Sequence, residues 1–144
     1  MEKYMVKKSE QTPLPESVEQ EIAKQNFTSW NDALKTGDLK KVAALYSNDA
    51  TFLPTVSGEF KKGQIGAEKY FKLFLKKNPS GEIIQEKIQF LATGCYLHTG
   101  MYNFEVGPED GRQVVEARFS FVWKRNAQTR WEIIHHHSSI RPEE

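Results

Sequence analysis

Near the end of the chain three histidines stand in a row, His135-His136-His137, followed by Ser138-Ser139. Imidazole can bind a metal, relay a proton or change charge near neutral pH, so this run is the first place to look for chemistry. In an extended strand successive side chains alternate between faces, which puts His135 and His137 on one side and His136 on the other. Two imidazoles on one face can share a zinc ion, but a site needs a third ligand. The remaining histidine, His98, lies on a neighbouring segment, and no His-x-Glu or Cys-x-x-Cys pattern supports a metal. We therefore expect no metal and no cofactor, and read the run as strand residues with a structural or pocket-wall role.

Arg118 is the one charge in a strongly apolar run, Arg118-Phe119-Ser120-Phe121-Val122-Trp123. A buried guanidinium is costly unless paired, so it should meet a carboxylate, a backbone carbonyl or a ligand anion. Glu116 on the same face and Glu105 across the hairpin are candidate partners. An ion pair or a contact between subunits is the first reading of Arg118, and a ligand contact the second. Tyr102 has a hydroxyl that needs a partner if buried, and it could orient a ligand carbonyl. Trp30, Tyr46, Tyr70, Phe74 and Phe104 could wall an apolar pocket, although core packing is the commoner fate at such spacing. Asp32, Asp38 and Asp49 read as turn and helix-end residues, not catalytic carboxylates.

These groups need elements to hold them. The first 15 residues are polar and read as a loose tail, with Pro15 just ahead of a helix over Glu16 to Lys35. Its apolar positions, Val18, Ile22, Phe27, Trp30, Ala33 and Leu34, recur near helical spacing. Gly37 suits a left-handed cap, and Asp38 can start a second helix running to Tyr46. A short strand is expected over Ala50 to Val56, with Pro54 marking an edge or bulge, then a loop over Ser57 to Gly63. Tyr70, Phe71, Phe74 and Leu75 form an apolar stripe on a third helix, Ala67 to Lys77, which Asn78-Pro79-Ser80-Gly81 ends.

Four strands follow, over Glu82 to Leu91, Cys95 to Val106, Gln113 to Arg125 and Trp131 to Ser139, with Gly107-Pro108-Glu109-Asp110-Gly111 as one hairpin loop. Helices followed by a run of antiparallel strands predict an α+β fold, not an alternating one. On the third of these strands Val115, Ala117, Phe119, Phe121 and Trp123 share a face. The other face mixes Val114, Glu116, Arg118, Ser120 and Val122, as a cavity wall or an interface does.

Composition bounds the function. A chain of 144 residues fits one domain, here residues 16 to 142, and can bury roughly 70% of its unfolded surface. The net charge of +1 gives no electrostatic reason to bind nucleic acid or an anionic membrane. No segment approaches the ~20 apolar residues of a membrane span, and the first residues lack the apolar stretch of a secretory signal. The single cysteine, Cys95, reads as a small core side chain and fits a reducing compartment. A cytoplasmic protein is expected.

Trp30-Asn31-Asp32-Ala33-Leu34-Lys35-Thr36-Gly37-Asp38, then Leu45-Tyr46, then Asp49-Ala50-Thr51-Phe52 resembles the opening of SnoaL-like proteins of the nuclear transport factor 2-like superfamily. Arg118 to Trp123 followed by Trp131 to Ser139 is similar to the association (hub) domain of calcium/calmodulin-dependent protein kinase II, as found in stand-alone bacterial proteins. The likeness covers roughly residues 18 to 142. It implies a cystatin-like cone, a strongly bent antiparallel sheet wrapped around the helices with a pocket at its wide end. It also implies dimers formed through the sheet, and rings of dimers in the kinase hub. Hub domains receive small carboxylates on pocket arginines. The matching positions here are Tyr102, Phe121 and Ser138, none of them arginine, while a pocket tyrosine matches Tyr70.

By the resemblance the pocket lies on the face of Phe121, His136 and Ser138. Pattern alone would choose the mixed face, with Arg118, His135 and His137. One bulge in a strand exchanges the faces beyond it. The expected function is a homo-oligomeric assembly protein, dimeric or ring-like, with a pocket for a small molecule contacted by Tyr70, Tyr102, Phe121, His136 and Ser138, and without kinase activity. The alternative is a SnoaL-like isomerase, cyclase or dehydratase acting on an apolar keto or polycyclic substrate, with His136 as general acid or base and Tyr102 polarising a carbonyl.

Overall fold

A computed structural model of the chain describes residues 13–144. The expected loose tail, residues 1 to 15, lies outside the described residues but for its last three.

Helix α1 (Glu16–Thr36) begins directly after Pro15, whose fixed φ of −56° suits a helix start, and carries Glu16 and Glu19 in its first turn, where the helix dipole favours acid. It stops at Gly37, which takes the left-handed conformation (φ 70°). Asp38 then caps α2 (Leu39–Ala43), its carboxylate accepting from the Lys40 amide. This helix is shorter than its apolar spacing predicts. The Leu45 carbonyl accepts from the Ile133 amide at 2.8 Å, and Tyr46 already opens strand β1 (Tyr46–Leu53). Strand pairing overrides local helix propensity there.

Pro54 ends β1 earlier than predicted. The expected loop contains a two-residue strand, β2 (Lys61–Lys62), paired with Thr51 and Phe52. Helix α3 (Gly63–Phe74) starts a turn before its predicted start and ends in a single 3-10 turn, Leu75–Lys77. Two glycines hid that first turn. Gly63 has a φ of 65° and a Cβ there would lie 2.5 Å from the Asn48 carbonyl oxygen on β1, while a Cβ at Gly66 would lie 3.0 Å from Lys61 Cβ on β2, so the two glycines let α3 sit tightly on both strands.

Strands β3 (Ser80–Ala92), β4 (Cys95–Val106), β5 (Gln113–Arg125) and β6 (Trp131–Ile140) complete one sheet in the order β2-β1-β6-β5-β4-β3. All pairs are antiparallel except β1 with β6, which run parallel. The inner face carries Tyr96, Tyr102, Phe104, Phe119, Phe121 and Trp123, all buried. Trp30 of α1 packs at its centre, with ring centroids 5.2 Å from Phe121 and 6.0 Å from Phe104. A side-chain clamp fixes the helix to the sheet. Asn31 Nδ2 donates to the Gly81 carbonyl (2.9 Å), and the Gly81 amide donates back to Asn31 Oδ1 (2.8 Å).

Bulges bend β3. Its register with β4 slips between Ile83 and Gln85 and again between Phe90 and Ala92. Opposite the first slip, Gly100 leaves no room for a side chain, since a Cβ there would lie 2.0 Å from the Gln85 carbonyl oxygen. Gly100→Ala is therefore expected to destabilise the fold by about 3 kcal/mol, the upper range for overpacking because the obstacle is backbone. Gly58→Ala, with nothing within 4 Å of the new methyl, should leave the urea midpoint unchanged within error. Equal midpoints for the two variants would remove the bulge argument.

Candidate functional site

At the closed end of the sheet, β6 sends His136 inward between two aromatic rings. The imidazole stacks on Phe121 at 4.0 Å and on Phe52 at 4.8 Å, with interplanar angles of 16° and 10°. It is 2% exposed. Both ring nitrogens are nonetheless satisfied. Tyr46 Oη lies 2.8 Å from Nδ1, and Tyr102 Oη lies 3.2 Å from Nε2.

The indole of Trp30 fixes the direction of this chain of bonds. An indole N–H can only donate, so the Tyr46 hydroxyl accepts from Trp30 Nε1 (3.2 Å) and gives its own proton to His136 Nδ1. His136 is then the neutral tautomer with its proton on Nε2, donating to Tyr102. The Tyr102 hydroxyl donates to Ser138 Oγ (2.5 Å), and Ser138 meets the Thr55 hydroxyl. Six side chains thus form one hydrogen-bonded file, with its direction set from Trp30 to Ser138.

Electrostatics agree with that assignment. Burial pushes the His136 pKa well below its ordinary value, and the neighbouring His135 and His137 push it further down. Burial also raises Tyr46 and Tyr102 above the ordinary phenol range. Tyr70 is raised by burial to about 12. The Val56 backbone and Thr55 hydroxyl beside it temper that shift, but neither forms a proper hydrogen bond with its hydroxyl.

Tyr70, Tyr102, His136 and Ser138 line one small cavity together with Trp30, Phe52, Thr55, Phe71, Phe74 and Phe104. Its volume is only about 10 Å³, room for about one water. Phe121 lies behind His136 and does not line the cavity. Thr55, Phe52 and Phe71 escaped sequence reasoning. Thr55 follows Pro54 in a stretch read as strand, and the phenylalanines resemble any core residue.

Arg118, His135 and His137 lie on the opposite, outer face, so the two faces that pattern and resemblance proposed are both real and point apart. Alternation separates the two sets, and a bulge sets which of them faces inward. Val122 pairs with His135 but Trp123 pairs with Ile133, leaving Ile134 as the extra residue that exchanges the faces. Arg118 is exposed, and among the described residues its side chain bonds only to Ser139 Oγ, at 3.4 Å. The expected partner Glu116 instead lies 4.0 Å from Arg141, and Glu105 makes no ion pair among the described residues. Thr51 Oγ1 lies 2.7 Å from His135 Nδ1. His98 faces inward, 2.9 Å from Glu86 Oε1, with burial lowering its pKa against the pull of that carboxylate. Pointing to opposite sides of the sheet, His98 and the outer pair cannot share an ion. No group of three potential metal ligands occurs among the described residues, and no helix there is long and apolar enough to cross a membrane.

A bent six-stranded sheet closed over a long helix is the cystatin-like architecture of nuclear transport factor 2-like proteins. Solved structures agree. A nuclear transport factor 2-like superfamily protein from Salmonella enterica aligns with a TM-score of 0.72 at 20% identity over 88% of this chain and 93% of its own. A cystatin-like protein from Caulobacter vibrioides aligns with a TM-score of 0.70 at 18% identity over 86% and 90%. At those identities the likeness is one of fold. A structure from Xanthomonas campestris, provisionally described as a calcium/calmodulin dependent protein kinase II association domain, is 38% identical, with a TM-score of 0.81 over 86% of this chain and 88% of its own. The family profile of that association domain matches residues 18–142. The chain belongs to this family. No curated protein matches it significantly.

The histidines set a pH dependence. His136, His98 and His135 all have folded pKa values below the ordinary 6.5. Below that pH the unfolded chain binds more protons than the folded one, so stability is full above it and falls as pH drops toward the folded values. The unfolding free energy from urea titration should hold from pH 8 to 7 and decline below 6.5, by at most about 1.4 kcal/mol per pH unit for each of the buried His136 and His98 and by less for the partly exposed His135. His136→Gln should flatten the decline; an unaltered slope would show that His136 is not held neutral.

Proposed function

We propose that this protein is a homo-oligomeric assembly module, without kinase activity of its own, whose protomers pair through the outer face of the sheet. The carrying observation is the make-up of that face. At its centre, across β4, β5 and β6, it presents three rungs, Leu97–Val122–His135, Thr99–Ser120–His137 and Met101–Arg118–Ser139, flanked by rungs that carry charge, Asn103–Glu116 and Cys95–Lys124–Glu132. Only one of the nine central residues is charged apart from the histidines, and none is acidic. Interface cores are depleted in charge in this way, with arginine, methionine and apolar residues kept. Most of these side chains are only partly covered within the single chain. A second copy presenting the same face would complete the burial, as an isologous two-fold contact does. The association-domain family supports the same reading. A cytoplasmic setting fits the single cysteine.

The cone belongs to this reading as a site for a small molecule that must open it first. The enzymatic alternative, with His136 as acid or base and Tyr102 as the polarising hydroxyl, has its two groups in contact. Like any ligand of the cone, its substrate would first have to open the chamber. A keto or polycyclic substrate needs a cavity of roughly 300 Å³ or more, where the closed chamber offers about 10 Å³. Tyr70 and Phe74 would have to leave the core to admit it.

Size-exclusion chromatography with light scattering, at tens of micromolar protein, should give twice the protomer mass or a higher even multiple. Val122→Glu places a carboxylate at the centre of the outer face and should shift the mass to that of one protomer while leaving the far-ultraviolet circular dichroism spectrum unchanged; its urea midpoint falls only by what association contributes. A wild-type protein that runs strictly as a monomer overturns the proposal.

A further inference from the structure

The total charge of +1 averages over an uneven surface. Between Val56 and Lys77, six lysines (Lys61, Lys62, Lys69, Lys72, Lys76 and Lys77) stand against two acids, Glu59 and Glu68, a local surplus of four positive charges. The stretch ends in α3 and its 3-10 turn. The inner side of α3 packs Ala67, Tyr70, Phe71 and Phe74 into the core. On the outer side, every exposed residue of the helix and turn is either a lysine or a large aliphatic: Ile65, Lys69, Lys72, Leu73, Lys76 and Lys77. By helical geometry Ile65, Lys69, Lys72 and Leu73 fall within an arc of about 100°. Ile65 is 73% exposed and Leu73 66%. Phe60, 56% exposed, adds an aromatic ring just ahead of the helix, with the Lys62 ammonium 5.8 Å from its centre. Lys61 has a carboxylate in reach, that of Glu59 at 3.4 Å. Among the described residues the other five lysines have no acidic partner within ion-pair distance.

Two attractions on this side are unmatched within the chain. Unpaired ammonium groups draw anions, and lysines close to an anionic bilayer each add to its hold on a protein. Exposed phenylalanine, isoleucine and leucine gain by leaving water. Either signal alone holds a protein on a membrane only marginally, whereas an apolar anchor joined to a polybasic patch holds it stably. The residue types separate a lipid surface from other anionic partners. Protein interfaces keep arginine and shed lysine, yet between Val56 and Lys77 there are six lysines and no arginine. Nucleic acid phosphates would take the lysines but give the protruding Ile65 and Leu73 no apolar medium to enter. A bilayer takes both, because lysine stems lie along apolar surface while their amines reach outward to phosphate. We propose that the outer side of α3, with Phe60 beside it, rests on a bilayer that contains anionic phospholipid. Phe60, Ile65 and Leu73 enter the headgroup layer, and the lysines meet the lipid phosphates. The contact is peripheral, made by one helix face and one ring. It adds a partner to the function proposed above and does not depend on assembly.

The test is co-sedimentation of the full chain with lipid vesicles. Phosphatidylcholine vesicles with about one-third phosphatidylserine should bring the protein down at low salt, and pure phosphatidylcholine vesicles should leave it in solution. Added salt should release it, because the attraction is screened. Lys69→Gln/Lys72→Gln/Lys76→Gln should weaken binding by at least about tenfold. Ile65→Gln/Leu73→Gln should weaken it by at least about threefold and leave the salt dependence in place. All five side chains are exposed, so both variants should keep the wild-type urea midpoint, which separates a lost surface from a lost fold. In Phe60→Trp the added indole should shift its emission to shorter wavelength on the phosphatidylserine vesicles and not on pure phosphatidylcholine. A protein that stays in solution with phosphatidylserine vesicles overturns the inference, as does unchanged binding in either multiple variant. Equally tight binding to soluble poly-glutamate or duplex DNA also overturns it, in favour of a surface that recognises charge alone. Light scattering on the same samples keeps the two proposals apart. A monomer that sediments with the vesicles leaves the lipid surface standing and removes assembly, and an oligomer that stays in solution does the reverse.

Discussion

The fold rests on the packing of Trp30 against the concave face of the bent sheet. Three long strands curve because β3 slips its register twice against β4 and because Gly100 lets the Gln85 carbonyl approach. A curved sheet needs a filled hollow, and the indole fills it, touching Phe27, Phe104, Phe121 and His136. The Asn31–Gly81 clamp sets the helix at the right height for that contact. Everything polar in the interior is then arranged around the indole N–H. It orients the Tyr46 hydroxyl, which orients His136, which orients Tyr102 and Ser138.

That file of bonds explains how an interior can carry so many polar atoms without instability. A buried group without a partner costs about 1–3 kcal/mol, and the file leaves none of its own members unpaired. It also explains why the histidine is better suited to structure than to catalysis. A general base needs a free lone pair facing substrate and a pKa near the working pH. His136 has its lone pair taken by Tyr46, its proton by Tyr102, and both ring faces covered. With the hollow filled, the outer face of the sheet, whose central rungs carry Arg118 as their one charge outside the histidines, is the surface on which the proposed pairing rests.

Much of this was legible in the sequence. Gly37 and Asp38 announced the break between the first two helices, because a left-handed cap and a carboxylate cap are local devices. Alternation along β5 placed Phe119, Phe121 and Trp123 together for the same reason. Where tertiary contacts decided, local reading fell short. Tyr46 looked like the end of a helix until its neighbour bonded to Ile133 on β6. The parallel pairing of β1 with β6 has no local signature at all. Periodicity alone could not say which of His135, His136 and His137 faced inward, because Ile134 bulges out of register. The resemblance implied a pocket around Tyr70, Tyr102 and Ser138, but its volume depends on how ten side chains pack, which no spacing encodes.

Coverage of the outer face by a second copy is the claim on which the functional account turns. Met101 lies on that face, beside Arg118 and only partly covered within one chain. Its rate of oxidation by hydrogen peroxide, followed by mass spectrometry over a dilution series, reports its exposure directly. The account predicts slow oxidation at tens of micromolar protein and faster oxidation on dilution as protomers separate. A rate that stays high at every concentration would contradict it.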